Sequence, residues 1–362
     1  MKVLHIHPSM ASGGIESMIC SLANEMSKEH DVTVCSIFEP KPEHVFWYKL
    51  SDRVNKCTLH KNNTGLSLKE IVYIYNFIRK EKFQVVYLHG FLQYYLWSVI
   101  ALHKCVKFCY TVHSDAVMEN VGWSKKIFPL KRMMFAKRWI TPITISNASQ
   151  DSFYNLYNCS SELIYNGVAK SSTSLEEPEI IKEYRYTPRT KVFLHPGRIS
   201  LAKNQVLMCK VFQRLIQEGE DVVLLIAGSR DDESIFCDLK PLFSDRIVYL
   251  GVRTDVLDMM SHSDALVLPS IWEGLPVVIL EALSVGCVPI ATPVGGIVDV
   301  INHDYNGLLS DCVSEDAYYN VLKYYLSLSD EKRLLLKDNC KNSFEKYNIT
   351  NTAAMYINLL NK

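Results

Sequence analysis

A pair of cations follows a short apolar segment in the second half of the sequence. Residues 191–195 read KVFLH, and Arg198 and Lys203 come soon after them. A guanidinium offers phosphate oxygens a bidentate fork, and an ammonium offers a compact point charge. The pattern predicts a phosphate or diphosphate clamp at the end of a strand; the alternative is an ordinary solvated loop.

Two carboxylates make a second candidate set. Glu273 stands in the loop sequence PSIWEGLP, where its carboxylate and the neighbouring amides could reach the hydroxyl groups of a ligand. Glu281 follows within the apolar run VVILEAL, where a carboxylate is costly unless it is paired or hydrogen-bonded. Glu281 could accept hydrogen bonds from two ribose hydroxyls, or it could be satisfied by backbone amides or an arginine.

The first half of the chain offers a glycine pair and a histidine. Gly13 and Gly14 follow the first apolar run and open a helical pattern, so their backbone could approach an anion, although the pair also suits a plain turn. His113 ends another apolar run. A lone histidine there is more often structural, but its place at the carboxyl end of a predicted strand favours a role in binding.

Several familiar sites are absent from the sequence. It has no G-x-x-x-x-G-K-[ST] segment, and the first predicted strand-to-helix turn reads SGGIES rather than G-x-G-x-x-G. No D-x-D pair and no cluster of His, Cys and carboxylate residues has the spacing of metal ligands. We therefore expect no cofactor and no metal, so protein cations and helix N-termini would neutralise any bound diphosphate.

The elements that must position these residues alternate regularly. Near-continuous apolar strands that alternate with helical patterns are typical of parallel sheets covered on both faces. The fold class that follows is α/β, with two doubly wound Rossmann-like domains. The predicted strands are 3–6, 32–37, 85–89, 108–113, 140–146 and 163–165 in the first half, and 192–195, 222–227, 247–250, 265–269, 288–291 and 307–309 in the second.

A polar segment marks the join between the two halves. We expect an N-terminal domain over 1–168, a linker over 169–190, a second domain over 191–346, and a C-terminal helix over 347–362 that packs back on the first domain. Because open α/β sheets bind ligands at the carboxyl ends of their strands, a cleft between the two domains is the expected site.

Composition narrows the class of protein further. The 362 residues are 48% apolar and 22% charged with zero formal net charge, which fits a globular protein and argues against a nucleic-acid binder. The 11 cysteines lack framework spacing and the N-terminus lacks a long apolar region, so we expect a cytoplasmic protein. Residues 83–103 carry no charge, but their sequence favours a strand, a turn and a helix over a membrane span.

One segment of the first half concentrates positive charge. Residues 123–139 read WSKKIFPLKRMMFAKRW, with no acidic residue and with tryptophan at both ends. A basic helix with aromatic flanks could dock on an anionic membrane or a lipid diphosphate, whereas a solvated basic face is the other interpretation. The residues placed on this acceptor or membrane side are Lys125, Lys126, Lys131 and Arg132, together with Glu16.

These residues together resemble the retaining glycosyltransferases of the GT-B fold, family four of the sequence-based classification. The resemblance spans the chain: a GG-x-E turn near the N-terminus, the segment around His113, a G-R-x(4)-K run that ends at Lys203, and E-x(7)-E at Glu273 and Glu281. The pattern E-G-x-P-x(4)-E-A-x(3)-G is specific, whereas the double glycine is not. Asn204 is a departure, because many relatives have glycine after the lysine.

The resemblance implies a role for each candidate residue. The donor-binding residues fall into groups by the part of the donor that they would contact. The diphosphate would be bound by Arg198 and Lys203, with Gly13 and Gly14, and the ribose by Glu281. The base would be bound by Val252 and Arg253, and the sugar by Glu273, Gly274, Leu275 and Pro276. His113 would lie by the reacting ring. The catalytic set would then be His113, Glu273, Arg198 and Lys203.

The resemblance also implies a reaction. It is the retaining, metal-independent transfer of a hexosyl or N-acetylhexosaminyl unit from a nucleotide-sugar, by default a UDP-sugar, to a glycan or lipid-linked glycan in capsule, exopolysaccharide or O-antigen synthesis. Peripheral contact with the inner face of the membrane would suit such an acceptor. Two alternatives stay open: a sugar-nucleotide epimerase or hydrolase of the same fold, and a non-catalytic partner subunit that binds sugar nucleotides.

Overall fold

The computed structural model describes residues 1–11, 13–42, 44–61, 68–90, 92–120, 122–170 and 173–359, and the chain divides into two compact units. Unit 1 comprises Met1–Ala169 and Tyr347–Lys362, and unit 2 comprises Lys170–Lys346. Each unit contains a parallel sheet with interleaved helices, which confirms the predicted α/β class.

In unit 1, the described residues form seven parallel strands: β1 (Lys2–His7), β2 (Asp31–Phe38), β3 (Asn55–Lys61), β4 (Val85–His89), β5 (Lys107–Val112), β6 (Ile140–Thr144) and β7 (Glu162–Leu163). The helices among them are α1 (Gly14–Met26), α2 (Val45–Tyr48), α3 (Leu68–Glu81), α4 (Leu96–Leu102), α5 (Trp123–Lys126), α6 (Phe128–Ala136) and α7 (Asn147–Tyr157). The order across the sheet is β3-β2-β1-β4-β5-β6-β7, so the chain crosses over between β1 and β4.

Strand β3 is the one strand of unit 1 that the sequence analysis does not predict. It lies at the edge of the sheet and reads NKCTLHK, with Lys61 buried and its other residues partly or fully exposed. An edge strand that is half solvated needs no continuous apolar run, and the apolar run is the signal on which the other strands were predicted.

In unit 2, the described residues form α8 (Glu179–Tyr184), β8 (Lys191–Pro196), α9 (Gln205–Gln217), β9 (Val222–Ala227), α10 (Glu233–Leu239), β10 (Ile247–Gly251), α11 (Val256–His262), β11 (Ala265–Leu268), α12 (Val277–Val285), β12 (Val288–Ala291), α13 (Ile297–Val300), β13 (Leu308–Leu309), α14 (Glu315–Ser327) and α15 (Asp330–Phe344). The parallel strand order is β10-β9-β8-β11-β12-β13. Strand β9 is buried along its whole length, as its apolar sequence VVLLIA predicts.

Most of the segment predicted as a linker lies in unit 2, which begins at Lys170. Its helix α8 buries Ile181 completely. Arg185 donates from Nη1 to Oδ2 of Asp264 over 3.0 Å and from Nη2 to the carbonyl of His262 over 3.0 Å. Polar residues of this segment therefore form ion pairs and hydrogen bonds with the rest of unit 2.

The last described helix, α16 (Ile349–Asn358), belongs to unit 1. The hydroxyl of Tyr87 on β4 donates to the carbonyl of Tyr356 over 2.7 Å, and the hydroxyls of Tyr356 and Thr111 lie 3.3 Å apart. The approach is close, since a Cβ on Gly167 would lie 2.4 Å from Oγ1 of Thr352. The final segment thus covers one face of the first sheet.

Candidate active-site residues

The strand order of unit 2 determines which of its loops meet. The chain runs from β8 through β9 to β10 on one side, then crosses to β11 on the other side of β8. The loops that leave the carboxyl ends of β8 and β11 therefore emerge side by side, where open α/β sheets bind ligands. Arg198 and Lys203 follow β8, and Glu273 lies in the loop that follows β11.

Lys203 and Glu273 meet at this crossover. Nζ of Lys203 lies 2.6 Å from Oε1 of Glu273, and the hydroxyl of Ser270 donates to the same oxygen over 2.6 Å. Because the lysine and glutamate side chains are only 17% and 11% exposed, their attraction is screened less than that of a surface ion pair. The residues predicted separately as a phosphate ligand and a sugar ligand thus form one cluster, the Lys203–Glu273 cluster.

Hydrogen bonds hold the two loops of this cluster together. The N–H of Ile271 donates to the carbonyl of Ala202 over 2.8 Å, and Nδ2 of Asn204 donates to the carbonyl of Pro269 over 3.2 Å. Asn204 has φ 56°, a left-handed conformation that glycine and asparagine adopt more easily than other residues. Asparagine in place of the expected glycine therefore keeps the backbone conformation and adds a hydrogen bond to the neighbouring loop.

Two glycines allow close backbone approaches at the same edge of the sheet. A Cβ on Gly228 would lie 2.0 Å from the carbonyl oxygen of Gly197, and a Cβ on Gly295 would lie 1.9 Å from the carbonyl oxygen of Glu273. Gly295 also has φ +54°. Substitution at either position would displace a loop that carries a candidate ligand-binding residue, which the sequence alone does not indicate because glycine is an ordinary loop residue.

Arg198 is more exposed than the cluster, although its backbone is well supported. Its side chain is 63% exposed, and Nη1 lies 3.4 Å from Oδ2 of Asp231 in a surface ion pair. Nε2 of the buried Gln205 donates to the carbonyl of Arg198 over 2.9 Å and lies 3.1 Å from Nε2 of His195. Gln205 and His195 are supports of the cationic loop to which the sequence analysis assigns no role.

The remaining donor-side candidates of unit 2 lie around these loops. Glu281 is half-buried on α12, and Leu275 and Pro276 are buried just before that helix. Val252 is 64% exposed in the loop after β10. Arg253 in the same loop is held by the carboxylate of Asp255, with Nε 2.9 Å from Oδ1 and Nη2 2.6 Å from Oδ2.

In unit 1, the crossover lies between β1 and β4, and the glycine pair follows β1. Gly13 is the N-cap of α1 and Gly14 is its first residue. A Cβ on Gly13 would lie 2.5 Å from Oε2 of Glu16, so this carboxylate lies against the start of the helix, where negative charge is favourable. The position predicted for an external anion is therefore close to the protein's own carboxylate.

Glu119 holds the backbone immediately after β5. Its Oε1 accepts the N–H of His113 over 2.8 Å and the N–H of Ser114 over 3.1 Å, and its Oε2 accepts the hydroxyl of Tyr110 over 3.0 Å. Burial raises the pKa of Glu119, although these hydrogen bonds oppose the increase. Glu119 stands in the mixed segment DAVMENVGW, which contains no recognisable motif, so the sequence gives no sign of its role.

The ring of His113 ends a row of buried imidazoles. Its Nε2 lies 3.0 Å from Nδ1 of His89, and Nε2 of His89 lies 3.1 Å from Nδ1 of His5. We call these three residues the histidine row. Burial lowers the pKa of His5 and of His113 to about 3, and burial together with the neighbouring imidazoles lowers the pKa of His89 well below its usual value. The row is therefore neutral at neutral pH.

Two family models match this chain, one over each half. Residues 12–171 match the family described as Glycosyltransferase Family 4, and residues 176–343 match the family described as Glycosyl transferases group 1. The chain belongs to the family-four glycosyltransferases of the GT-B fold.

Relatives of this glycosyltransferase cover most of its length. The UDP-Gal:alpha-D-GlcNAc-diphosphoundecaprenol alpha-1,3-galactosyltransferase of Escherichia coli is 27% identical over 292 residues, which span 76% of this chain and 74% of the relative. An alpha-1,4-N-acetyl-D-galactosaminyltransferase of Campylobacter jejuni, named with a PP-undecaprenol-linked glycan, is 23% identical over 378 residues that span 99% and 98%. The crystal structure of Anabaena HepE in complex with UDP and glucose superposes with a TM-score of 0.82 at 18% identity, over 100% of this chain and 99% of HepE.

The basic segment of the glycosyltransferase consists of two short helices, α5 and α6, rather than one helix. Lys125, Lys126 and Arg132 are exposed, as a docking surface would require. Lys131 is not: it is 4% exposed, and its Nζ donates to Oδ1 of Asn120 over 2.8 Å and to Oγ of Ser124 over 2.7 Å.

This burial corrects the placement of Lys131 on the membrane side. The buried residues of α6 are Lys131, Met134 and Phe135, whose spacing puts them on one face of the helix, toward the core. Burial also lowers the pKa of Lys131 to about 8, while the nearby Glu119 acts in the opposite direction. Lys131 therefore supports the interior of unit 1.

Membrane-spanning helices and clusters of metal ligands are both absent from the described part of the glycosyltransferase. No helix in the described ranges is long and apolar enough to cross a membrane. The same residues contain no group of three or more His, Cys, Asp or Glu side chains that could hold a metal ion.

Proposed function

We propose that the chain transfers a hexosyl or N-acetylhexosaminyl unit from a nucleotide-sugar to a glycan or lipid-linked glycan, with retention of anomeric configuration and without a metal ion. The observation that carries this proposal is the Lys203–Glu273 cluster at the crossover of unit 2. It puts a cation suited to a diphosphate beside a carboxylate suited to sugar hydroxyls. These two groups are needed on either side of the bond that breaks in a nucleotide-sugar.

The chemistry follows from the leaving group. The bond between the anomeric carbon and the diphosphate oxygen breaks, and negative charge develops on the diphosphate. Lys203 and Arg198 would stabilise that charge, which is commonly the largest single contribution to catalysis of this kind. Glu273 would orient the sugar and Glu281 the ribose. The acceptor hydroxyl attacks the anomeric carbon from the face that the diphosphate leaves, forms the new glycosidic bond and gives its proton to the departing diphosphate oxygen.

A UDP-sugar is the donor and a lipid-linked glycan the acceptor that we favour. UDP stands in the name of the Escherichia coli relative and in the HepE complex. An undecaprenol-linked diphosphate stands in the names of both the Escherichia coli and the Campylobacter jejuni relatives. On this basis we place the reaction in the assembly of a surface polysaccharide on its lipid carrier.

Thermal unfolding with nucleotides tests the donor. We would compare UDP, GDP and ADP and then UDP-glucose, UDP-galactose and their N-acetyl forms, each with and without EDTA. A ligand at about 100 times its Kd should raise the free energy of unfolding by about 2.7 kcal/mol. We expect stabilisation by the UDP series that EDTA does not remove and that Glu281→Ala abolishes.

The exposed Asp238 on α10 gives a matched control. Asp238→Ala should respond to the nucleotides as the wild-type protein does. Stabilisation that persists in Glu281→Ala would contradict the donor site, and stabilisation by none of the nucleotides would contradict the proposed donor class. Release of an epimerised free sugar, with no glycosylated acceptor, would favour the epimerase alternative.

Peripheral membrane contact is a separate part of the proposal. The exposed Lys125, Lys126 and Arg132 flank an apolar surface formed by Phe128 and Met133. Cosedimentation with vesicles that contain phosphatidylglycerol should fall when Lys125 and Lys126 are both replaced by glutamate. Equal sedimentation of this variant and the wild-type protein would contradict membrane docking through this segment.

A further inference from the structure

The histidine row of unit 1 leads from the interior to the chain segment that contains the candidate catalytic His113. His5 and His89 are fully buried, whereas His113 is 8% exposed. The row follows from the strand register, because β1 pairs with β4 and β4 pairs with β5, with His89 opposite Thr111. Parallel strands with alternating side chains place these rings on one face of the sheet.

Both ends of the row are chemically defined. At the inner end, Nε2 of His5 lies 3.4 Å from Sδ of Met26, which is 3% exposed. A thioether sulfur has no hydrogen to donate and can only accept a weak hydrogen bond. At the outer end, Nδ1 of His113 has no hydrogen-bond partner among the residues that the structure describes.

A row of neutral imidazoles can be hydrogen-bonded in two directions. Each neutral ring has one N–H and one nitrogen lone pair, so the direction at one contact sets the direction at the next. If His5 donates from Nε2 to the sulfur of Met26, then His89 donates to His5 and His113 donates to His89. In the reverse direction, a buried lone pair of His5 would face the sulfur lone pairs, which is unfavourable.

From this geometry we propose that Met26, His5 and His89 are positioning residues that fix His113 with its proton on Nε2. His113 then presents the lone pair of Nδ1 and accepts a hydrogen bond from a hydroxyl group of the sugar substrate. The role of the hydroxyl rests on the proposed function, whereas the direction of the row does not. His113 is the residue that touches substrate, and the other three act through it.

A histidine outside the row provides an internal reference. Nδ1 of His195 lies 2.8 Å from the carbonyl oxygen of Val267. A carbonyl oxygen only accepts, so this ring carries its proton on Nδ1. The structure therefore assigns opposite tautomers to the row and to His195.

Nitrogen NMR of the full chain labelled with ¹⁵N-histidine tests the assignment. At neutral pH we expect the Nε2–H form for His5, His89 and His113, and the Nδ1–H form for His195. The Nδ1–H form, or a protonated ring, at any member of the row would overturn the proposal. This measurement does not depend on enzymatic activity, so it tests the tautomers independently of the proposed function.

Met26→Leu tests whether the direction is transmitted. Leucine fills a similar volume without the sulfur acceptor, so the preference for one direction should weaken and a second tautomer of His113 should become detectable. Met18→Leu is the matched control, because Met18 is a buried methionine of the same helix, whereas the sulfur that meets His5 among the described residues is that of Met26. An unchanged His113 tautomer in Met26→Leu would overturn the proposal.

Kinetics test the consequence for the reaction. His89→Leu should lower kcat roughly tenfold, the effect expected when one hydrogen bond at the reacting group is lost. The assay is UDP release from whichever of the four UDP-sugars the wild-type protein turns over. UDP should stabilise this variant as it stabilises the wild-type protein, which separates loss of positioning from loss of donor binding. A folded His89→Leu variant with the kcat of the wild-type protein would overturn the positioning role. Absence of turnover in the wild-type protein would overturn the proposed function, and the NMR experiment would then test the tautomers on its own.

Discussion

The two units bring polar side chains together at the crossover of their sheets, but in different chemical forms. In unit 2, an ammonium and a carboxylate meet at 2.6 Å and remain partly exposed. In unit 1, imidazoles meet at 3.0 and 3.1 Å and are almost fully buried. Charge can be used where solvent or a ligand can compensate for it, whereas a buried row must rely on the direction of its hydrogen bonds.

This difference determines how each crossover responds to mutation. The Lys203–Glu273 cluster acts through charge, so removal of one member changes the electrostatics toward a ligand. The histidine row acts through orientation, so a change at its far end should be felt at His113 without any change of charge.

Removal of the lysine ammonium from the cluster should have the largest effect. We expect Lys203→Ala to lower kcat about 10²- to 10³-fold, the range observed when one group that stabilises developing negative charge is deleted. Lys323→Ala is the control, because it breaks an ion pair of unit 2 with Glu220 that is partly exposed. Steady-state kinetics of sugar transfer measures both variants. Near-normal turnover by Lys203→Ala would contradict the role of the Lys203 charge in catalysis.

Displacement of the Glu273 loop should have a smaller but clear effect. In Gly295→Ala, the new Cβ would meet the carbonyl oxygen of Glu273 at 1.9 Å, so the loop must move. A shift of about 1 Å at a reacting group can lower the rate roughly 100-fold. Gly219→Ala has the same kind of backbone strain, with φ +87°, but its Cβ would meet nothing within 4 Å. Equal losses of transfer activity in the two variants would mean that strain alone, and not the loop, is responsible.

Acid should destabilise unit 1 before unit 2. The pKa is lowered to about 3 in His5 and His113, to about 4 in His7, and well below its usual value in His89, whereas His195, lowered to about 4, is the corresponding residue of unit 2. A histidine whose pKa is lowered by folding contributes stability above its unfolded pKa of about 6.5, and that stability is lost as the pH falls toward the folded value. The loss is on the order of 1 kcal/mol for each such histidine between pH 7 and 5.5.

Hydrogen–deuterium exchange at pH 7 and 5.5, corrected for intrinsic rates, measures this difference. Protection in β1, β4 and β5 should fall more than protection in β8, β9 and β11. Glu119 opposes the trend slightly, because burial raises its pKa. Equal losses of protection in the two units would contradict the neutral histidine row.

The surface ion pair of Arg198 should give the smallest effect. Asp231→Asn removes the carboxylate that competes for this guanidinium, so the KM for the donor should fall by no more than about threefold, and the free energy of unfolding should change by less than about 0.5 kcal/mol. Donor kinetics at low and high salt measure the effect, which salt should reduce. A large change in either quantity would show that Arg198 and Asp231 are coupled more strongly than their exposure implies.

The sequence predicts those features that apolar runs and motifs encode. Strands β4 at Val85–His89 and β9 at Val222–Ala227 have the predicted bounds, because a buried strand leaves a continuous apolar run in the sequence. The pairing of Lys203 with Glu273 depends on which strands are neighbours, and the local sequence does not predict the strand order. Lys131 is an instructive failure, because a cation in a basic run gives no local sign that it will be buried beside Asn120 and Ser124.

The histidine row leaves only a weak signal in the sequence. His5 lies on β1, His89 ends the next strand in the sheet order, and His113 follows the strand after that. Taken one at a time, each is an ordinary buried histidine. Only the register of three parallel strands makes them a connected set, and the register follows from contacts between distant parts of the chain.

The position of helix α16 late in the sequence affects when unit 1 can complete its folding during synthesis. Residues of α16 reach β4 and β5 through Tyr87 and Thr111, yet all of unit 2 is translated before them. When the ribosome has just finished unit 2, helix α16 therefore does not yet cover the histidine-bearing face of the first sheet. Domains usually fold in the order in which they emerge, but here the first unit to appear is the last to be completed, and a nascent chain stalled before residue 349 should expose that face to chaperones.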